Sequence, residues 1–498
     1  MSLARHFVAT VASRAYLTVL GLLVLPLYMQ RMGMEAYGLV VLFSTLQVWF
    51  QLLDLGLTAT LAREAARFNA GSAPAAEFRH LLRMLERALF LAVLAAGAAL
   101  YLGSEAIALR WLNLQAMEPH QASRAIEWMA LSVMARLLCE LYRSAITGFE
   151  RLSWLAASNA VFGTLRFLGV IPLLDGSSAA ASNFFAFQFG VGLVELVVLR
   201  VKTRRLAPLA SMTAAPRSRG SLRSLLGFSA SMSVAAMVWV FASQFDKLVL
   251  SGLLSLADYG LYGLAVAAAA GVLLATGSLA DALIPRITTL HAQDKREAVV
   301  QLYRQASQWT AVIACSTSIL LACHAEKVLW AWTGNPAIAI SMSPVLALYA
   351  LGNAAMAMAA LPFYLQLAQG RLKLHLLGTG LMLTLLVPTV LWATARNGAT
   401  GAAAAWLAIH ALYLLAWTPV AHRHIAPGLH LRWLRGDIAP VALAAAACGM
   451  ATWALPWPDG RVATAFQLLA VACGVLLAAV ASVPSGRLGL LQLRARLA

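Results

Sequence analysis

The sequence predicts an all-α polytopic membrane protein with about fourteen transmembrane helices, and three observations lead there. Of 498 residues, 61% are hydrophobic and 11% charged, and the mean hydropathy is +0.77, a balance suited to lipid rather than water as the solvent. Apolar runs able to cross a hydrocarbon core of about 30 Å recur along the whole chain. Turn signals also repeat at an offset of 222: Tyr37-Gly38 falls on Tyr259-Gly260, Asp175-Gly176 on Asn397-Gly398, Gly148 on Gly370 and Arg151 on Lys373. One residue out of step, Glu105 and Trp111 fall on Glu326 and Trp332. Two bundles related by a pseudo-two-fold axis leave a weak repeat of this kind.

In chain order the apolar runs are 7–29, 37–61, 88–102, 126–147, 154–174 and 181–199, then 226–250, 261–284, 308–324, 342–365, 374–395 and 401–421, and last 438–455 and 462–483. The first is too long for a signal h-region and lacks a small-residue cleavage site, so it reads as a retained first span. The connection after the sixth carries Pro208, Pro216 and a series of cations from Arg200 to Arg223, and reads as a solvated linker. The expected organisation is a six-helix lobe over 1–200, a basic cytoplasmic linker over 201–224, a second six-helix lobe over 225–422, and a basic loop with two appended helices over 423–498. An even number of spans per repeat makes the two lobes parallel rather than inverted.

The net charge of +17 would suggest nucleic acid in a soluble domain, but here its distribution sets topology. With the N-terminus inside, 27 of the 37 basic residues lie in inner loops and six outside, which puts both termini in the cytoplasm. The five cysteines (Cys139, Cys315, Cys323, Cys448 and Cys473) show no metal or redox spacing and read as small core residues. No Gly-Lys-Ser/Thr phosphate loop is present, and the longest outer connection, 103–125, has no His/carboxylate set for a general base. The residues therefore disfavour an enzyme such as a glycan polymerase or glycosyltransferase, and no cofactor or metal is expected.

Polar residues inside the spans carry the functional signal, because an arginine at the centre of a membrane helix costs about 2.5–3.5 kcal/mol and seeks water or a partner. Gln47, Gln51, Asp54 and Thr58 follow the helical period on the second run, Arg136, Glu140 and Arg143 on the fourth, Asn159 and Arg166 on the fifth, and Gln188 and Glu195 on the sixth. Four such stripes describe the wall of a wet cavity. Its basic members, Arg14, Arg136, Arg143, Arg166 and Lys247, suit a phosphate or diphosphate, since guanidinium forks bind phosphate oxygens through paired charge-assisted hydrogen bonds. Gln47, Gln51, Asp54, Asn159, Gln188 and Gln244 suit sugar hydroxyls, and Asp54, Glu140, Glu195 and Asp246 are the candidate coupling carboxylates. Plainer roles compete. Glu140 lies one turn from both Arg136 and Arg143 and could neutralise them, Arg143 could snorkel, and Asp246-Lys247 could anchor the outer end of its helix. Arg14 and Arg166 have no carboxylate one turn away on their own helices.

Several motifs in a fixed order resemble the oligosaccharide-lipid flippases of the multidrug/oligosaccharidyl-lipid/polysaccharide (MOP) exporter superfamily. They are Leu25-Pro26-Leu27, Arg31-Met32-Gly33 with Tyr37-Gly38, Leu53-Asp54-Leu55-Gly56-Leu57, Asp246-Lys247 with Asp258-Tyr259-Gly260, the stretch 326–334, and Asn397-Gly398-Ala399-Thr400-Gly401-Ala402. The resemblance covers the first twelve runs. It implies two six-helix lobes forming a V, alternating access, and an oligosaccharide repeat unit on undecaprenyl diphosphate as substrate, for lipopolysaccharide or exopolysaccharide synthesis at the bacterial inner membrane. A polymerase and chain-length or export machinery are the protein partners implied. Fourteen helices are also typical of the lipid II flippases of that superfamily, which keeps peptidoglycan precursor open as a substrate. A multidrug exporter for organic cations is disfavoured by the sign of the intramembrane charge.

Overall fold

The computed structural model describes residues 3–207 and 220–483 apart from 73, 175, 178, 371 and 426. The middle of the expected linker, 208–219, lies outside the described residues, as do Asp175 of the repeat, Arg371, and the C-terminal cations Arg487, Arg494 and Arg496. Among the described residues the named elements are all helical, as predicted. Backbone contacts group the chain into Met1–Gly260 and Leu261–Ala498.

The first unit holds α1 (Leu3–Met32), α2 (Met34–Phe50), α3 (Leu57–Asn69), α4 (Ala75–Leu102), α5 (Ser104–Ala106, running on through a π turn at Ile107–Trp111), α6 (Pro119–Gly148), α7 (Leu152–Leu168), α8 (Ala180–Leu206) and α9 (Gly220–Leu253). The next helix, α10 (Leu256–Ala269), starts in it. The second unit continues with α11 (Gly271–Ala292), α12 (Arg296–Cys323), α13 (Ala325–Thr333), α14 (Pro336–Ala359), α15 (Leu361–Ala368) and α16 (Lys373–Leu412). It ends with α17 (Thr418–Ile425), α18 (Leu429–Trp433), α19 (Ala439–Ala451) and α20 (Arg461–Ser482).

Eleven stretches of described residues are long and apolar enough to cross a membrane. Two predicted runs, 126–147 and 226–250, fall on α6 and α9, which are not among the eleven; α6 carries Glu127, Arg136, Glu140 and Arg143 along its length. Runs 374–395 and 401–421 share one continuous stretch, Lys373–His424. Inside it the backbone breaks at Asn397 (φ −130°) and Gly398 (φ 54°), where the Asn-Gly turn was expected. The second predicted run, 37–61, is not one helix. Its path leaves α2 through a 3₁₀ turn at Gln51–Asp54, then Leu55 (φ 45°) and Gly56 (φ 77°) break the helix before α3. A glycine is at home in that left-handed conformation and a leucine is not, so the turn is held by its surroundings.

The 222-residue repeat is present in the element order. Shifted by that offset, α4 falls on α12, the segment 104–111 on α13, α6 on α14, and α7 on the first arm of α16. Gly176 (φ 73°) and Gly398 (φ 54°) are both left-handed turn residues. Gly148 and Gly370 share identity but not role, the first packing against Ala62 of α3 and the second sitting at a positive φ of 67°. The two Tyr-Gly pairs meet each other: a Cβ on Gly38 would lie 2.2 Å from the Leu256 carbonyl oxygen, and one on Gly260 would lie 3.1 Å from the Gly38 nitrogen. The small residues thus let two backbones touch, and Thr45 Oγ1 shares a hydrogen bond of 3.1 Å with the Tyr259 hydroxyl beside them.

Within the second unit, the helices without a repeat counterpart are tied to α12. Arg304 donates to both oxygens of the fully buried Asp437 at 2.8 and 3.0 Å, Gln308 adds a third bond, and Trp433 donates to Ser307. Cys139 and Cys315 are buried as expected, whereas Cys473 on α20 is exposed.

Candidate functional site

Four helices of the first unit, α1, α6, α7 and α8, build the site. Small residues bring them close: the Cys139 thiol on α6 reaches the Gly192 carbonyl of α8, and a Cβ on Gly163 of α7 would run into Leu17 of α1. Ser13 of α1 donates to the Ala156 carbonyl of α7 at 2.9 Å, and Tyr28 donates to that of Phe167 at 2.6 Å. Between the helices lies a cavity of about 460 Å³ whose wall includes Arg14, Arg136, Arg143, Asn159 and Arg166. Five residues singled out from the sequence, drawn from three helices, are therefore brought together.

The charges are arranged around one carboxylate. Glu195 of α8 is fully buried and pairs with Arg143 of α6 through one oxygen and with Arg166 of α7 through the other, the latter at 2.6 Å. Arg143 also pairs with Glu140. Arg136 has no carboxylate. It donates to the amide oxygens of Gln47 and, at 3.2 Å, Gln188, and its guanidinium lies 5.3 Å from the Phe43 ring centre. Gln188 in turn donates to the Arg166 carbonyl at 3.1 Å. Arg14 lies on the open side of the cavity with no ion pair among the described residues.

Two carboxylates thus face four guanidinium groups, and the donors are not all spent. The Nε atoms of Arg136, Arg143 and Arg166, and Nη2 of Arg166, are buried without a hydrogen-bond acceptor, and Asn159 Oδ1 is buried without a donor. Arg166 Nη2 is close to Glu195 in distance but off the hydrogen-bonding direction. Burying charge in low dielectric is unfavourable unless partners satisfy it. A cavity with surplus positive charge and idle donors is chemically fitted to an anion with several acceptor oxygens.

Other sequence-predicted residues are placed elsewhere. Asp54 accepts from the Thr58 backbone amide (3.0 Å) and hydroxyl (2.7 Å), closing the turn into α3, so the polar stripe drawn across that run does not exist as one helical face. Gln51 is exposed on the same turn. Lys247 on α9 donates to the Ser243 carbonyl at 2.7 Å and to the fully buried Asp246 at 3.2 Å. Neither of these, nor half-buried Gln244, lines the cavity, because α9 packs on α2 and α3. Glu140 neutralises Arg143 and leaves Arg136 to the glutamines. Arg166, without a carboxylate on its own helix, finds one on the next. Sequence reasoning missed Thr10 and Thr18, which line the cavity one turn either side of Arg14 and were within reach of the helical-period rule.

Known proteins locate this fold. The family described as polysaccharide biosynthesis protein matches residues 177–335. No curated protein matches the sequence. Among solved structures, the lipid II flippase MurJ in an inward closed conformation aligns with a TM-score of 0.69 at 14% identity, over 95% of this chain and 98% of that one. An inward-facing multidrug resistance MATE family transporter of the MOP superfamily aligns with a TM-score of 0.67 at 12% identity, over 83% and 96%. A MOP superfamily transporter from Pyrococcus furiosus, described as having a binding pocket of reversed polarity, aligns with a TM-score of 0.53 at 15% identity, over 86% and 95%. The order of motifs and the course of the backbone agree: this is a multi-pass membrane protein with the fold of the MOP exporter superfamily.

Proposed function

We propose that the protein is a flippase carrying polyprenyl-diphosphate-linked oligosaccharides across the membrane, with the arginine cavity of the first unit receiving the diphosphate. The observation that supports this reading is the surplus of guanidinium over carboxylate around one 460 Å³ space. An organic cation would be repelled by it. The match of 177–335 to polysaccharide biosynthesis proteins points to the same substrate class.

In this reading Arg14 and Arg136, which hold no carboxylate, meet the diphosphate first. Arg143 and Arg166 are shared between substrate and Glu195, so that Glu195 keeps them in place when the cavity is empty and competes with the diphosphate when it is full. Asn159 contacts the sugar nearest the diphosphate, and Gln188 behind the wall holds Arg136 and the Arg166 backbone. Glu195, with Glu140 at its rim, is the group through which a proton could be coupled to release, whereas Asp54 and Asp246 serve the fold. The lobes 1–200 and 225–422, the linker 201–224 and the appended segment 423–498 are the working parts of an alternating-access cycle. A polymerase and export machinery would take the product on the far side of an inner membrane. A second reading, transport of lipid II, is favoured by the alignment with MurJ over nearly the whole chain.

The test is binding of a diphosphate-linked oligosaccharide lipid to the purified protein, wild type against Arg14→Ala with Arg136→Ala. These positions leave the buried Glu195 pairs intact; removing Arg136 also frees the amide oxygens of Gln47 and Gln188, so the variant should stay folded with a modestly lower melting temperature and lose affinity. Undiminished binding in a stable variant would overturn the assignment of the cavity, and competition by lipid II would favour the second reading.

A further inference from the structure

A second cavity in the first unit shares no lining residue with the arginine cavity and is independent of the function proposed for it. It measures about 340 Å³ and lies between α4, α6 and α8. Its length is apolar: Phe90, Leu138, Leu141, Leu196 and Val197 line it, with Phe90 48% and Val197 60% exposed, so it opens sideways toward the surface that lipid covers. One end is basic, with Arg87 and Arg200. The one carboxylate in the wall, Glu86, is occupied by the Tyr142 hydroxyl, which donates to it at 2.7 Å. Arg87 and Arg200 are both exposed and make no ion pair among the described residues.

The level of the two arginines follows from the chain. Arg87 is the last cation of α4 before its apolar portion, 88–102, and Arg200 is the first cation of α8 after its apolar portion, 181–199. The helices carry their cations at opposite ends of the sequence yet bring them to the same end of one groove, so these helices run antiparallel and both guanidinium groups sit where the apolar belt stops. Arginines at that depth extend to the headgroup layer. The same end carries Arg79, Arg83, Lys202, Arg204 and Arg205, the basic side that retention of cations assigns to the cytoplasm.

We propose that this groove is a binding site for an anionic glycerophospholipid of the cytoplasmic leaflet. The lipid phosphate lies between Arg87 and Arg200, accepting charge-assisted hydrogen bonds from both, and one acyl chain runs along Phe90, Leu138, Leu196 and Val197. Glu86 keeps its charge but accepts from Tyr142, and the two arginines outnumber it in the wall. Basic pockets between membrane helices on that side are suited to such headgroups, and a zwitterionic lipid, whose phosphate is accompanied by its own cation, fits less well.

The experiment is native mass spectrometry of the detergent-purified full chain titrated with phosphatidylglycerol, phosphatidylcholine or a polyprenyl phosphate, with melting temperature recorded for every variant. The expected result is preferential retention of phosphatidylglycerol by the wild type. Arg87→Ala with Arg200→Ala should weaken it on the order of tenfold, while Arg110→Ala, an exposed cation on the first unit outside the groove, should leave it unchanged. Val197→Trp keeps both arginines, fills the groove from its open side, and should also release the lipid. Equal retention of phosphatidylglycerol and phosphatidylcholine, or retention unaffected by both the double variant and Val197→Trp, would overturn the proposal. So would arginine-dependent retention of polyprenyl phosphate alone, which would make the groove a resting place for the tail of a transport substrate.

Discussion

One wall of the first unit's arginine cavity, on α7, has a counterpart 222 residues on, and the two are chemically opposite. Ala156, Asn159 and Gly163 of that wall correspond to Gly378, Leu381 and Leu385, which line an apolar groove of about 160 Å³ in the second unit; Trp417, the counterpart of Glu195 behind the wall, lines it too. Arg136, Arg143 and Arg166 correspond to Met358, Leu365 and Pro388. The helices are kept and the polar groups are not. Helix order in the repeat thus records the packing of backbones, whereas the chemistry of each cavity is set by a few side chains that the backbone tolerates in either form. A protein handling an amphipathic substrate needs that asymmetry, since two identical charged cavities would double the desolvation cost of intramembrane arginines.

The comparison is most sharply broken at Glu195. Glu195→Ala would strand Arg143 and Arg166, and removing one member of a buried ionic group costs about 3–5 kcal/mol. Its counterpart Trp417 has an indole nitrogen with no acceptor, so Trp417→Phe should cost less than about 1.5 kcal/mol. Denaturation of the two variants in detergent should show the gap, and similar losses would mean that the charged cluster is not a cooperative unit. On the functional side, if the diphosphate sits where proposed, Arg136→Ala removes charge-assisted hydrogen bonds to it worth about 1.5–3 kcal/mol. Equilibrium binding of a diphosphate lipid should weaken accordingly, while Met358→Ala should change stability and leave binding alone.

Where the halves have stayed alike, substitutions should act alike. Gly38→Ala pushes a methyl group onto the Leu256 carbonyl and should cost about 1–3 kcal/mol, with Gly260→Ala a milder version because its nearest atoms stand 3.0 Å away. Thermal melts that rank them the other way would show that the crossing relaxes on the α2 side. The smallest effect is expected at Arg296, whose pair with Asp294 is 3.6 Å long with both side chains about nine-tenths exposed. Arg296→Ala should leave the melting temperature within error, as exposed pairs generally do.

Much of the fold was legible because membrane helices announce themselves by composition. Asn397-Gly398 breaks its helix where the turn signal stood, and the Tyr-Gly repeat marks a real pair of contacts. The second apolar run misled because Leu55 is an apolar residue in a turn, and hydropathy does not register that Asp54 folds back onto Thr58. In the cavity, a helical period along one chain could pair Glu140 with Arg143. It could not pair Glu195 with Arg166, which lie 29 residues apart on different helices, nor show that Lys247 turns to its own helix.

By itself the sequence determined the solvent of this protein, its helix order and the repeat that relates its halves. Each of these is a one-dimensional property: apolar length against bilayer thickness, turn residues at constant spacing. Only the tertiary structure decided which intramembrane charges cancel and which remain, because that depends on distances of a few ångströms between helices distant in the chain. It placed Arg143 and Arg166 on one buried carboxylate, left Arg136 to two glutamines, and bonded Asp54 to Thr58 and Lys247 to Asp246 away from the cavity. In a medium of low dielectric, those few pairings separate a site from its support.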